Sequence, residues 1–142
     1  MPEVSPKTQD YQYQVPQLDE IKQVFSAAKN WQEKYRQLMI LGKKTPRLGQ
    51  EYKITTALID GCESDAWLYH QVIDGKHYFI ADSDARIVKG LIVILLSVFH
   101  QQQQKPDESI QELFTELGLY TQLSPSRTNG LTALSKSMAA VF

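Results

Sequence analysis

Helical spacing at both ends of the chain and a hairpin signal in its middle predict an α+β fold: a small antiparallel sheet of about three strands packed against several helices. Three observations lead there. Apolar residues recur at helical spacing before Gly42 and after Ala85. Between them, β-branched and aromatic runs flank Asp74-Gly75, the two-residue signature of a type I′ hairpin. The stretch from Gly90 to Phe99 is apolar nearly all round, as a helix at the centre of a core must be. A chain of 142 residues is long enough for one core and too short for two domains of ordinary size.

Residues 1–16 carry Pro2, Pro6 and Pro16 among polar residues without a period, which predicts a flexible N-terminal arm ahead of a single domain over 17–142. Leu18, Ile21, Val24, Phe25 and Ala28 then mark a first amphipathic helix. Asn30 with Glu33 has the form of a capping box for a second, whose Trp31, Tyr35, Leu38 and Leu41 share a face until Gly42 and Pro46 end it. Ile54–Ile59 is rich in β-branched residues and reads as a short strand. Ala66–Ile73 and Lys76–Ile80 are the arms of the hairpin. Asp82 or Ser83 is placed to cap the apolar helix beginning near Ala85. Ile110, Leu113, Phe114 and Leu117 form a short helix stopped by Gly118, and Ser124-Pro125 opens a last helix with Leu131, Leu134, Met138 and Val141 inward.

Fifteen Lys and Arg against sixteen Asp and Glu leave a net charge of −1, without the basic field that direct nucleic-acid binding needs. The longest apolar run is half of the ~20 residues that span a bilayer, so no membrane association is expected. One cysteine forms no internal disulfide, and the first residues lack the pattern of a secretory leader; the expected setting is a reducing cytoplasm. None of the three histidines has metal-ligand spacing with a cysteine or carboxylate on a helix, so no metal site is expected. His70 and His77 fall on opposite arms of the hairpin and read as ordinary strand residues. Neither a glycine-rich phosphate loop nor Gly-x-Ser-x-Gly occurs.

What remains is Cys62, in the polar stretch Ile59-Asp-Gly-Cys-Glu-Ser-Asp-Ala-Trp67. Gly61 admits backbone conformations closed to other residues, and Ser64 and Asp65 are turn formers, so the thiol is expected on a bend ahead of a strand. On spacing alone, a lone cysteine reads more readily as a small buried apolar side chain than as a nucleophile. The carboxylates of Asp60, Glu63 and Asp65 beside it disfavour a thiolate.

Four separated motifs change that balance. Trp31-Gln-Glu-Lys-Tyr-Arg-Gln-Leu38 with Leu41-Gly42-Lys43, Gly61-Cys62-Glu63-Ser64 with Trp67, Asp82-Ser83-Asp84 running into Ile87-Val88-Lys89-Gly90-Leu91, and Gln122-Leu-Ser-Pro-Ser-Arg127 leading to Gly130-Leu131 together resemble the SufE family of sulfur acceptors, nearest its CsdE branch. The resemblance implies that Cys62 accepts sulfane sulfur as a persulfide from a PLP-dependent cysteine desulfurase, stimulates it, and passes the sulfur on. The implied receivers are an iron–sulfur scaffold or a tRNA-modifying dehydratase. It points to Glu63, Ser64, Asp84 and Arg127 as partner-binding residues, with the Arg127 fork placed to pair with Asp84 or to reach the Cys62 sulfur. No cofactor is expected on this chain, since thiol exchange needs none. The sequence departs from the family pattern at Ala81, where glycine is usual, and at Asp65, where a neutral or basic residue is usual. The competing readings are a non-catalytic adapter for a desulfurase or dehydratase, in which Cys62 is dispensable, and a single-cysteine thiol peroxidase. The second is the weaker because no arginine or threonine precedes Cys62 to stabilise a thiolate.

Overall fold

The fourteen residues Arg86–Phe99, apolar but for Arg86, Lys89 and Ser97, form the helix around which the chain is wrapped (α3), with Ile92, Val93, Ile94, Leu95 and Leu96 fully buried. The computed structural model describes residues 5–59 and 64–142. Ahead of α3 come α1 (Leu18–Ala27), α2 (Trp31–Leu41), β1 (Ala66–Ile73) and β2 (Lys76–Ser83); after it come α4 (Ile110–Glu116) and α5 (Pro125–Ala139). The α+β expectation holds.

The local signals act as their chemistry requires. Asn30 Oδ1 accepts the Glu33 N–H at 2.9 Å and so satisfies one orphan donor at the start of α2, while the Glu33 carboxylate accepts the N–H of Lys29, the residue before the cap, at 2.8 Å, in place of the Asn30 N–H that a full capping box uses. Asp74 and Gly75 take φ of 52° and 79°, the paired left-handed conformation that a type I′ turn demands. Ser124 accepts from the Arg127 N–H at 3.3 Å and Pro125 occupies the first turn of α5. At the start of α3 the cap position belongs to Ala85, which supplies no side-chain bond; the Ser83 hydroxyl accepts the Ala85 N–H at 3.2 Å instead.

The hairpin register pairs Ala66 with Ser83 and Ile73 with Lys76, so side chains alternate between two covered faces. Phe79, Ala81 and Ala66 face the main core with α3, while Trp67 and Ile80 join Tyr11, Leu48 and Ala57 in a smaller cluster on the other face. Gly90 lets α2 and α3 touch: a Cβ there would stand 2.3 Å from the Leu38 carbonyl oxygen.

Three expectations are corrected. Among the described residues the sheet has two strands; the segment expected as a third turns through a 3-10 helix, Thr55–Ala57, and contributes one bridge, Leu58 to Trp67. β-Branched residues favour a strand only where a pleated surface receives them, and here Ala57 is drawn into the smaller cluster while Thr55 and Thr56 face solvent. Residues 1–16 are not a loose arm throughout. Tyr11 is buried, Tyr13 donates its hydroxyl to the Phe79 carbonyl and stacks on His100 at 4.4 Å, and the Ser97 hydroxyl donates to the Pro16 carbonyl at 2.9 Å. Two aromatic side chains suffice to dock a stretch that has no period. Val141, expected inward, is exposed, lying past the end of α5.

Candidate functional site

β1 is preceded by the stretch that carries the cysteine, and both ends of that stretch are tied to the fold. On the near side the Ile59 N–H donates to the Ala66 carbonyl at 2.8 Å, beside the Leu58–Trp67 bridge. On the far side the Ser83 hydroxyl donates to the Asp65 carbonyl at 2.7 Å. Cys62 and Glu63, with Asp60 and Gly61, lie outside the described residues.

Ser64, two positions after the cysteine, is half-buried and lines a small cavity of about 20 Å³. The other walls are Val88, Leu91 and Ile92 of α3 and Ser126, Arg127, Gly130, Leu131 and Leu134 of α5. A space of this size holds roughly one water-sized group. The walls are apolar except for two seryl side chains and the Arg127 side chain, and the positive end of α5 lies at the same place. Ser64 and Arg127 are therefore brought together.

Asp84 stands elsewhere. Its carboxylate is 2.7 Å from Lys53 Nζ and 3.7 Å from Arg47 Nη2, so the pairing expected with Arg127 is not formed. The reason is the path of the chain: Arg127 packs on the side of α3 that carries Val88, Leu91 and Ile92, whereas Asp84 meets the segments that hold Arg47 and Lys53. Among the described residues no carboxylate pairs with Arg127.

The group around Asp84 continues inward as a network that local sequence reasoning missed. Asp82, fully buried, accepts the Leu48 N–H at 2.9 Å and the Ser83 N–H at 2.8 Å, and lies 3.4 Å from Arg47 Nε and 3.9 Å from both Lys53 Nζ and Lys89 Nζ. Lys89 Nζ donates to the Thr45 hydroxyl and to the Pro46 carbonyl at 3.3 Å. Burial pushes the Lys89 ammonium down to about 8; Asp82 opposes that shift and Arg47 adds to it. Lys53 also sits over the Trp67 ring, 5.1 Å from its centroid, which carries the network to the strand that leaves the cysteine loop. A lysine among the apolar residues Ile87–Leu96 was the available signal, because a buried charge must be paired. Among the described residues no group of three or more His, Cys, Asp or Glu converges on a point that could hold a metal ion. No described helix is long and apolar enough to cross a membrane.

A profile of the family described as "SufE: Fe-S metabolism associated domain" matches residues 19–141. The chain is also 42% identical, over 123 residues, to the Escherichia coli (strain K12) protein named Sulfur acceptor protein CsdE, the alignment covering 84% of each chain. With nearly all of the folded region inside the match, and with that identity to a CsdE protein, the chain belongs to the SufE family, on its CsdE branch.

Proposed function

We propose that this chain is a sulfur acceptor of the reducing cytoplasm, in which Cys62 takes sulfane sulfur from the catalytic cysteine of a PLP-dependent cysteine desulfurase. The Cys62 thiol gives up its proton, and the thiolate attacks the outer sulfur of the donor persulfide. The donor S–S bond breaks, the donor cysteine leaves as a thiolate, and Cys62 carries the new persulfide. The chain stimulates the desulfurase by relieving it of that sulfur. Delivery then goes to an iron–sulfur scaffold or to a tRNA-modifying dehydratase.

The observation that carries this reading is the small cavity that brings Arg127 together with Ser64, the latter two residues along the chain from Cys62. Its apolar walls exclude water from a reactive sulfur, and Arg127 offers the charge that a persulfide anion needs. One cysteine also fits a carrier, because a second thiol nearby would resolve the persulfide to a disulfide and release the cargo. In this reading Ser64 and Arg127 hold the loop and its sulfur, while Glu63 and the exposed Asp84 meet the desulfurase.

Incubating the protein with a cysteine desulfurase and free cysteine, then recording intact mass, tests the reading. One added sulfur atom is expected on the parent and none on Cys62→Ser. If Cys62→Ser stimulates desulfurase turnover as well as the parent does, the chain is an adapter and the acceptor reading is lost.

A further inference from the structure

His70 on β1 and His77 on β2 share the face of the hairpin that also carries Phe79, one diagonal step apart in the register that pairs His70 with Phe79 and Val72 with His77. His70 Nε2 lies 2.8 Å from His77 Nδ1. The ring planes differ by 19° and the centroids are 5.0 Å apart. With the nitrogens so much closer than the ring centres, the imidazoles meet nearly end to end. One ring nitrogen donates its N–H into the lone pair of the other.

The mount is stiff. His77 is hydrogen-bonded on both sides of its backbone, its N–H to the Gln102 carbonyl at 2.8 Å and its carbonyl from the Gln101 N–H at 2.7 Å. Its ring rests on Phe142 at 4.2 Å, and the His70 ring rests on Phe79 at 5.0 Å. Both histidines are half-buried, so one side of the pair is walled by aromatic rings while the other faces water.

We infer that the hairpin carries a two-histidine site for a nitrogen-preferring divalent transition-metal ion, with His70 Nε2 and His77 Nδ1 as its protein donors and water completing the coordination. Entry of the ion replaces the shared hydrogen bond. Whichever ring holds the shared proton passes it to its other nitrogen, so both rings stay neutral, each gives one lone pair to the metal, and no net proton is released. A tetrahedral ion with Zn–N distances of 2.0–2.1 Å needs the two nitrogens roughly 0.5 Å further apart than they stand, with each ring tilted toward the common point. Half-exposed rings on adjacent strands permit that movement. Imidazole donors without a carboxylate select Zn²⁺, Ni²⁺ and Cu²⁺ and reject Mg²⁺ and Ca²⁺. Since no further His, Cys, Asp or Glu among the described residues joins the pair, the bound ion is exchangeable.

The test uses the untagged full chain with Cys62→Ser, which removes a competing thiolate ligand. Titration calorimetry with Zn²⁺, and separately with Ni²⁺, is expected to give one equivalent bound, with a melting temperature that rises with metal concentration. Mg²⁺ is expected to do neither. His70→Gln and His77→Gln, each verified as folded by circular dichroism, are expected to lose both signals. Should His77→Gln unfold because the Phe142 packing fails, His70→Gln alone decides. Absence of binding, or binding and stabilisation unchanged in His70→Gln, overturns the inference.

Discussion

The hydroxyl of Ser83 donates to the carbonyl oxygen of Asp65 at 2.7 Å, across the end of the hairpin from which the cysteine loop departs. Ser83 is fully buried, and the same oxygen accepts the Ala85 N–H at the start of α3. Replacing Ser83 by Ala removes both bonds and leaves the part-buried Asp65 carbonyl and Ala85 N–H to find other partners. We expect a loss of about 1–3 kcal/mol in chemical denaturation, with faster amide exchange at Ala85. A variant as stable as the parent would show that neither bond matters.

Asp82 and Lys89 are not equivalent members of their network. Asp82→Asn leaves the Lys89 and Lys53 ammonium groups, both largely buried, without their shared carboxylate, and is expected to cost about 3 kcal/mol. Lys89→Met removes one charge and leaves Asp82 with Arg47 and Lys53, so about 1 kcal/mol is expected. The pH dependence separates the two further. With the folded Lys89 pKa near 8, below the ordinary 10.5, the unfolded chain holds the extra proton between those values. The parent therefore gains stability relative to Lys89→Met as pH rises from 8 toward 10. Urea midpoints for both proteins across that range provide the measurement.

His100 governs the acid side. Its Nδ1 accepts the Phe79 N–H at 3.0 Å in the core. Burial pushes its pKa down to about 4, while the nearby Tyr13 and Tyr11 carbonyls pull the other way. The folded value is below the ordinary 6.5, so this stabilisation is complete above pH 6.5 and is lost as pH falls through 4. The loss is on the order of 3 kcal/mol. Melting temperatures of the parent are expected to fall more steeply between pH 6.5 and 4.5 than those of His100→Gln. Parallel curves would refute the assignment.

Gly90→Ala tests the crossing of α2 and α3. Its Cβ would stand 2.3 Å from the Leu38 carbonyl oxygen and 2.9 Å from the carbonyl carbon, both backbone atoms that no rotamer change can move. The helices must separate, and we expect a cost of about 2–3 kcal/mol despite the higher helix propensity of alanine. An unchanged melting temperature would mean that the two helices are less closely held than this contact requires.

Elements whose signals are local are legible in the sequence. Asn30 with Glu33, Asp74-Gly75, Gly118 and Ser124-Pro125 each act through residues three or fewer positions away, and each performs the bond or backbone conformation its chemistry implies. What escaped depends on distant partners. Ile54–Ile59 has strand composition, yet the chain leaves the β1 edge after one bridge because Ala57 is buried beneath the hairpin. Asp82 reads locally as a helix cap, while its role is set by Arg47, Lys53 and Lys89 brought from other segments. Ser64 and Arg127 come from motifs far apart in sequence, and their meeting at one cavity rests on how α5 lies along α3.

The docking of residues 8–16 also bears on the order in which a ribosome can complete this molecule. Tyr13 is 66 positions from its acceptor at Phe79, Pro16 is 81 from Ser97, and Gln101 donates to the Tyr13 carbonyl across 88 positions. The stretch that leaves the exit tunnel early thus waits for β2 and then α3 before its tyrosines have anywhere to go. Until then the outer face of the hairpin, with Trp67 and Ile80, lacks its Tyr11 cover. Nascent chains released at about residue 85 would present that face to chaperones, and those extended past Gln101 would not.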